Sequence, residues 1–189
     1  MFDLDGFVVA CRAALAERES QPAVREVVAH AVADPAGVLK GLGEPRRSEL
    51  QTLHRSADLT ILNVIWAPRM TIMPHNHTMW AVIGIYTGRE DNIFWRRVAH
   101  APGGLVEAAG AKAIGERDAV SLGRDIIHSV TNPIGRLTGA IHVYGGDFFC
   151  PGRSEWDPES LCEQPHDPAN TVRLFEEANR LYPSGGNAR

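Results

Sequence analysis

Hydrophobic positions in the first 45 residues recur every three or four residues, as on amphipathic helices. One apolar stripe is made by Phe7, Val8, Cys11 and Leu15, and a second, behind Pro22, by Val24, Val27, Val28 and Ala31. The segment TVRLFEEANRLY near the end of the chain shows the same spacing. The pattern predicts helices at both ends of the chain.

The pattern changes near Glu49, from where short apolar runs typical of β-strands follow one another to about Phe149. These runs are LTILNVIWA, MTIMPHNH, WAVIGIYTG, NIFWRRV, DAVSLG, IIHSVTN and LTGAIHVYGG. Turn residues separate them at intervals typical of an all-β sandwich or barrel. We predict a single domain with a helical cap at 1–45, a β-barrel at 49–149, and a loop and helix at 150–189.

Composition narrows the classes of partner. The chain has 189 residues and a net charge of −4, without a dense basic block, which argues against nucleic acid and anionic membranes as partners. The beginning of the chain is acidic and helically patterned, unlike a signal peptide, and no apolar run approaches a membrane span. Three cysteines are few and odd in number. We expect a cytoplasmic protein, either monomeric or a small homo-oligomer.

Three histidines in the β-like region form a candidate metal site. His75 and His77 are one residue apart in a predicted strand, so both side chains point the same way. His128 lies in IIHSVTN, where Ile126 indicates that the same face is buried. Three converging imidazoles can hold Zn, Fe or Cu. Taken one at a time, each histidine is equally compatible with a hydrogen-bonded core or rim position.

The surroundings of these histidines resemble the two motifs of the cupins. In the first motif the HxH pair is followed at the expected spacing by Gly88, but Ala81 stands where a metal-binding carboxylate is usual. The second motif ends in a histidine and, four residues later, an asparagine, as His128 and Asn132 do. The resemblance implies a mainly β cupin fold, a double-stranded β-helix or jelly-roll barrel, with N-terminal helices and a C-terminal helix.

The missing carboxylate affects which ligands such a site favours. Three neutral imidazoles leave the full charge of a divalent ion, which favours anionic ligands and above all a thiolate. Ala81 is small, and we expect it to leave room for a substrate beside the metal. A decayed cupin that binds nothing is the competing interpretation, but it gives no reason to keep all three histidines.

The chain also resembles the thiol dioxygenases of the cysteine dioxygenase family, whose iron is held by three histidines. The resemblance implies Fe(II) bound by His75, His77 and His128. It covers residues from about 60 to 160 and accounts for the lack of a Gly-rich dinucleotide-binding motif, because the family's reaction needs no flavin or nicotinamide. The substrates that it implies are a small thiol carboxylate and O2.

A second signature of the family is a Ser-x-His-x-Tyr network beside the iron. His142 and Tyr144 in GAIHVYGGD match its last two members, whereas Ala140 replaces the serine. The resemblance implies that Tyr144 donates a hydrogen bond at the reacting centre and that His142 orients it. Because Ala81 occupies the place of the crosslinking cysteine of mammalian-type enzymes, Tyr144 should keep a free hydroxyl. The competing interpretation is a buried polar pair that satisfies only itself.

The family's subtypes differ in the arginine that binds the substrate carboxylate. In bacterial 3-mercaptopropionate dioxygenases this arginine lies nine residues after the tyrosine, which is the position of Arg153. The subtype implies conversion of 3-mercaptopropionate, with cysteine as the next candidate, to the sulfinate. Arg153 could instead be a solvated loop arginine paired with Glu155 or Asp157. Two other functions remain open: a three-histidine dioxygenase that cleaves C–C bonds, and a metal-stabilised cupin that only binds a ligand.

Overall fold

Three helices open the computed structural model, which describes residues 2–183. They are α1 (Leu4–Leu15), α2 (Ser20–Val32) and α3 (Pro35–Leu42). The side chain of Asp3 accepts a hydrogen bond from the backbone of Gly6 at the start of α1, and Asp34 caps α3 in the same way. The N-terminal helices that the apolar stripes predicted are confirmed.

Eleven strands and a last helix follow among the described residues. The strands are β1 (Glu49–Arg55), β2 (Thr60–Trp66), β3 (Thr71–Asn76), β4 (Ala81–Thr87), β5 (Arg89–Arg97), β6 (Val106–Gly115), β7 (Ala119–Leu122), β8 (Ile127–Thr131), β9 (Thr138–Tyr144), β10 (Ser154–Trp156) and β11 (Glu163–Pro165), and the helix is α4 (Pro168–Leu181). One sheet has the order β1-β2-β9-β4-β7 and the other β11-β10-β3-β8-β5-β6. Every strand pair is antiparallel.

The predicted mainly β architecture with helices at both ends is confirmed, with one correction. Within residues 2–183 no strand pair joins the two sheets, so they form a two-layer sandwich and not a closed barrel. Leu62, Ile83 and Val130 pack between the two sheets, together with Phe175 of α4. Helix α4 therefore completes the interior that the sheets leave open.

The central strands of the first sheet are buried on both faces. All seven residues of β2 and all seven of β9 are buried. Ile61 and Val143 face helices α1 and α2, while Leu62 faces the second sheet. Gly84 in β4 lies so close to Val28 of α2 that a Cβ there would clash. Two-sided burial explains why these strands are continuous apolar runs in the sequence and not alternating ones.

The sequence pattern missed several short or exposed elements. Strand β6 contains small and polar residues, and most of its side chains are exposed at the sheet edge. Strands β10 and β11 lie in the stretch after Pro151 that reads as loop. Helix α4 begins at Pro168, a few residues before the apolar spacing indicates, because Asp167 caps it. None of the four helices within residues 2–183 has the length and hydropathy needed to cross a bilayer.

Candidate metal centre

The two histidines of the HxH pair stand where β3 ends. A bulge between Ile72 and His75 shifts the register of β3 against β8, and His77 lies just beyond the last strand residue. Thr78 then takes a positive φ of 58°, an uncommon conformation for a threonine, and the chain turns towards β4. The imidazole centroids of His75 and His77 are 5.1 Å apart. The two rings therefore converge, as the spacing predicted.

His128 completes the cluster from the neighbouring strand. It lies in β8 directly opposite His75, and the two ring centroids are 4.6 Å apart. The Nε2 atoms of His77 and His128 are separated by 3.3 Å. One nitrogen from each of the three rings lies within 4.8 Å of the others. The structure thus brings together all three predicted metal ligands, with His77 and His128 buried and His75 half-buried.

Hydrogen bonds to the outer ring nitrogens orient two of these imidazoles. His75 contacts the carbonyl oxygen of Met73 through Nδ1 at 2.9 Å. His128 contacts Oδ1 of Asn92 through Nδ1 at 2.6 Å. Because each acceptor requires a proton on Nδ1, the Nε2 lone pairs are left for a metal, a common second-sphere arrangement at histidine metal sites.

Burial keeps the cluster neutral, which metal binding requires. Loss of hydration is the main cause that lowers the pKa of His75 to about 4 and the pKa values of His77 and His128 well below the ordinary value. The donor spacing also fits an ion, because two nitrogens each about 2.0–2.1 Å from one metal at a tetrahedral angle lie about 3.3 Å apart. Three imidazoles suit Fe, Zn or Cu and do not select among them.

Ala81 occupies the place of the cupin carboxylate, and the structure shows no open space beside it. It is fully buried, pairs with Tyr144 across β4 and β9, and belongs to the packed core between the sheets. The residues that line the cavity beside the histidines do not include it. The expectation that Ala81 leaves substrate room beside the metal is therefore not supported, because Ala81 belongs to the packed core that also contains Tyr144.

A cavity of ≈ 480 Å³ opens beside the three histidines. Its walls are mainly apolar and include Trp66, Ile72 and Phe148, and Phe175 of α4 forms part of its roof. Leu50 and other partly exposed apolar side chains surround the mouth. A pocket of this size with few polar groups is typical of a small-molecule binding site.

Arg153 lines the same cavity and has no acidic partner. The residue is 9 % exposed, and its Nε atom is buried without a hydrogen-bond partner. No Asp or Glu oxygen in residues 2–183 lies within 4.0 Å of the guanidinium, which instead rests 4.1 Å from the centre of the Phe148 ring. Burial lowers the pKa of Arg153, but a guanidinium stays charged in a protein. A buried, unpaired cation facing a cavity is suited to bind an anion.

The alternative in which Arg153 pairs with Glu155 is not observed. The buried carboxylate of Glu155 accepts hydrogen bonds from the Asn170 side chain at 2.8 Å and the Gln164 side chain at 3.1 Å. It also contacts Nδ1 of His166 at 2.9 Å, and His166 itself lines the cavity. Sequence reasoning assigned no role to Gln164, His166 and Asn170 and considered Glu155 only as a partner of Arg153, since nothing in the run RSEWDP marks its carboxylate as buried.

His142 and Tyr144 contact each other as predicted, and a third residue joins them. The Nδ1 atom of His142 lies 3.1 Å from the Tyr144 hydroxyl. On the other side of the ring, Nε2 lies 3.4 Å from Oε2 of Glu90, which is fully buried. Burial raises the pKa of the Tyr144 phenol, so its hydroxyl stays protonated. Sequence reasoning missed Glu90, which stands in the charged run TGRED and reads there as part of an exposed turn.

The carboxylate of Glu90 is ionised in spite of its burial. Loss of hydration alone would raise its pKa, but the contact with His142 and the hydrogen bonds from Asn92 and Trp66 outweigh this and hold the pKa below the ordinary value. The Trp66 indole N–H donates to Oε2 at 2.9 Å and the Asn92 amide donates to Oε1 at 3.0 Å. The cavity region therefore contains a paired buried anion and an unpaired buried cation.

Fold and site together define the class: a mainly β two-sheet protein with a three-histidine cluster that can hold a metal. Cupin-superfamily proteins are among the solved structures that it resembles. One is an RmlC-like cupin-family protein with a double-stranded β-helix fold from Methanocaldococcus jannaschii, 9% identical with a TM-score of 0.46, covering 56% of this chain and 86% of that one. Another is a cupin-superfamily protein from Desulfitobacterium hafniense, 13% identical with a TM-score of 0.44, covering 56% and 85%.

A crystal structure of DMSP lyases also matches, at 12% identity and a TM-score of 0.39, over 52% of this chain and 44% of that chain. No family model matches the chain. These identities and TM-scores are too low to transfer a function, and the fold assignment rests on the strand pairing of this chain itself.

Proposed function

We propose that the protein is an Fe(II)-dependent thiol dioxygenase that adds both atoms of O2 to the sulfur of a small thiol carboxylate and yields the sulfinate. The preferred substrate is 3-mercaptopropionate, with cysteine next. The observation that carries the proposal is the pairing, in one cavity, of three converging neutral histidines with a buried arginine that has no acidic partner. Such a cavity suits a ligand with two anionic ends.

Arg153 supplies the site for the carboxylate end. A guanidinium offers several N–H donors in a planar fork, which a carboxylate accepts in a bidentate pair. Because the buried Nε of Arg153 has no partner within the described chain, an incoming carboxylate displaces no existing ion pair. The Phe148 ring beneath the guanidinium fixes the direction in which the fork points.

The three histidines would hold the metal through Nε2 of His75 and His128 and a ring nitrogen of His77. When bound, Fe(II) supplies the site for the thiolate and the activation of O2. The chain's own contribution is orientation: the backbone of Met73 and the amide of Asn92 keep two of the rings in the required tautomer.

Tyr144 lies against this cluster, with its ring centroid 5.0 Å from that of His77. Its protonated hydroxyl lies 3.1 Å from Nδ1 of His142, which orients it, and when the substrate binds the same O–H can turn to donate a hydrogen bond to the substrate. The apolar walls made by Trp66, Ile72 and Phe175 exclude water and so strengthen these polar contacts.

The proposal is tested with the purified full-length chain loaded with Fe(II). Oxygen uptake is measured with 3-mercaptopropionate, cysteine, cysteamine and mercaptosuccinate, and the sulfinate is identified by mass spectrometry. Arg153→Ala should abolish most of the turnover of 3-mercaptopropionate. Arg96→Ala serves as the matched control, because Arg96 is exposed and paired with Glu107 far from the cavity.

Two outcomes would redirect the assignment. If Arg153→Ala spared turnover of a diketone or flavonol while no thiol consumed oxygen, the C–C-cleaving dioxygenase would replace the thiol dioxygenase. If the loaded protein bound thiols without any oxygen uptake, the chain would be a metal-stabilised binding protein.

A further inference from the structure

The position that a serine hydroxyl occupies in the resembled network has no polar group on β9 in this chain. Ala140 stands there, buried and opposite Ile85 of β4. The polar contact to His142 comes instead from the second sheet. The chain leaves β4 through Gly88, whose φ of 86° and close approach to Thr138 exclude a side chain, and it enters β5 with Glu90 directed inward.

We propose that Glu90 is the positioning residue of the site: its carboxylate fixes the ring of His142, and thereby the hydrogen bond of Tyr144, and through Asn92 it also fixes the metal ligand His128. This inference rests on the proposed function for its kinetic consequences. The arrangement of protons that it requires can be observed without any turnover.

The first half of the argument concerns His142. The Nε2 atom of His142 lies 3.4 Å from Oε2 of Glu90 and makes no hydrogen bond of good geometry within residues 2–183. Because an ionised carboxylate can only accept hydrogen bonds, the proposed positioning requires a proton on this nitrogen. With Nε2 protonated, Nδ1 carries no proton and accepts the hydrogen bond of the Tyr144 hydroxyl at 3.1 Å, so the phenol proton points to His142 until the hydroxyl turns to the substrate. A serine would have left this tautomer open, because a hydroxyl both donates and accepts.

The second half concerns His128. Because the Asn92 amide nitrogen donates to Glu90 at 3.0 Å, its carbonyl oxygen faces the other way. That oxygen lies 2.6 Å from Nδ1 of His128, which must therefore carry the proton and leave Nε2 unprotonated towards the cluster. One carboxylate thus determines the tautomers of a metal ligand and of the histidine that holds Tyr144.

The ring protons provide the direct test. The full-length protein, metal-free and Zn(II)-loaded, is labelled with ¹⁵N-histidine, and the His142 signals are assigned by their loss in His142→Gln. We expect a proton on Nε2 of His142 and on Nδ1 of His128. An unprotonated Nε2 of His142 would overturn the proposal, since that nitrogen could not donate to Glu90. This result does not depend on whether the protein oxidises any thiol.

Kinetics provide the second test, with 3-mercaptopropionate as the substrate. Glu90→Leu should lower kcat by about ten- to hundredfold, the range found when a group that orients a catalytic histidine is lost, and leave KM unchanged because Arg153 is intact. Glu90→Gln keeps one acceptor oxygen and should recover most of kcat. In the Tyr144→Phe background, Glu90→Leu should lower kcat by a smaller factor than in wild type, because the part of its effect that acts through the Tyr144 hydroxyl is already lost and only the part through Asn92 and His128 remains.

A matched control separates positioning from a general loss of stability. Asn63 is a buried polar residue of the first sheet that accepts a hydrogen bond from Tyr86 at 2.7 Å, outside the cavity. Asn63→Leu should lower stability and leave kcat unchanged. Equal losses of kcat from Glu90→Leu with and without the Tyr144 hydroxyl would overturn the proposed action of Glu90 on Tyr144. If Glu90→Leu does not fold, the ring-proton measurement decides. If wild type shows the expected protons but no activity, only the proposed function fails.

Discussion

Two buried charged residues near the candidate site, Glu90 and Arg153, differ in how fully the chain pairs their charges. Glu90 is fully buried and accepts hydrogen bonds from Trp66 and Asn92 while facing His142. Arg153 is nearly as buried, yet its Nε has no hydrogen-bond partner and no carboxylate within residues 2–183 pairs with its guanidinium. Burying a charge is costly unless it is paired. The paired anion therefore belongs to the fold, whereas the unpaired cation is best explained by a ligand.

Glu155 and Arg153 differ in the same way, although only one residue lies between them in the sequence: the Glu155 carboxylate is hydrogen-bonded within the chain and the Arg153 Nε is not. Glu155 holds the segment before α4 through Gln164, His166 and Asn170. Polar groups that are satisfied within the chain serve its architecture, and the group left unsatisfied is the candidate for binding. This criterion can be tested on the two charges separately.

The largest expected effect comes from removing the metal cluster between the two charges. His128→Ala should reduce bound iron to background and abolish activity, because two imidazoles hold a divalent ion much more weakly than three. Iron content by elemental analysis and oxygen uptake check this. His30→Ala, at an exposed helix position, is the control. Full iron occupancy in His128→Ala would remove this histidine from the ligand set.

Replacing Glu90 and replacing Arg153 by an apolar residue of similar size should have different effects on the free energy of unfolding. Glu90→Leu leaves the N–H donors of Trp66 and Asn92 without an acceptor and should lower the free energy of unfolding by about 3–5 kcal/mol. Arg153→Met removes an unpaired buried charge and should leave the free energy unchanged or raise it. Urea unfolding of the metal-free proteins measures both. A large loss from Arg153→Met would mean that its charge is compensated inside the fold.

Substrate selectivity should depend on Arg153, the unpaired cation of the cavity. The dianion of 3-mercaptopropionate has one partner for each end, whereas cysteine adds an ammonium. Among residues 2–183, Glu155 is the carboxylate that lines the cavity, and it is already engaged. A poorly satisfied buried charge costs a few kcal/mol, so kcat/KM should favour 3-mercaptopropionate by about a hundredfold. Cysteamine, which lacks a carboxylate, should be worse still.

Steady-state oxygen uptake with wild type and Arg153→Ala checks this selectivity. In the variant, kcat/KM should fall most for 3-mercaptopropionate, so that the differences in kcat/KM among 3-mercaptopropionate, cysteine and cysteamine become smaller. Cysteine as the better wild-type substrate, or unchanged selectivity in the variant, would contradict the role assigned to Arg153.

The smallest expected effect concerns Tyr144, which should carry no covalent crosslink. Ala81 faces Tyr144 across β4 and β9 and has no sulfur, so no thioether should form there. Intact and peptide mass spectrometry should give the unmodified mass. A peptide containing Tyr144 that is two mass units light would show a crosslink to another cysteine.

The sequence predicted the clustering of the three histidines better than the residues around them, for a physical reason. His75 and His128 lie on strands and His77 directly follows one, and alternation along a strand fixes which way a side chain points. Glu90 lies two residues after a hairpin glycine in a charged run, and only the facing sheet makes it buried. Its burial is a tertiary effect without a local signal. Arg153 was located through resemblance alone, because a loop position has no periodicity.

The fold was predictable to a similar extent. Strands β2, β4 and β9 are buried on both faces and carry continuous apolar runs that are easily recognised. Strand β6 gains its conformation from pairing with β5, although its residues are small or polar. Strands β10 and β11 are too short for a pattern to emerge.

Arg153 is held at a set separation from the histidines by the main chain. It immediately precedes β10, in which Glu155 pairs with His75 of β3. The backbone N–H of Ser154 also donates to Asn76, the residue between the two histidines of the pair, at 2.9 Å. The distance between Arg153 and the histidines is therefore set by these contacts, and a substrate that binds to Arg153 at one end and to the metal at the other must match it in length. Lengthening a substrate from mercaptoacetate to 4-mercaptobutyrate should reveal one preferred chain length, which substitutions in the apolar walls leave unchanged.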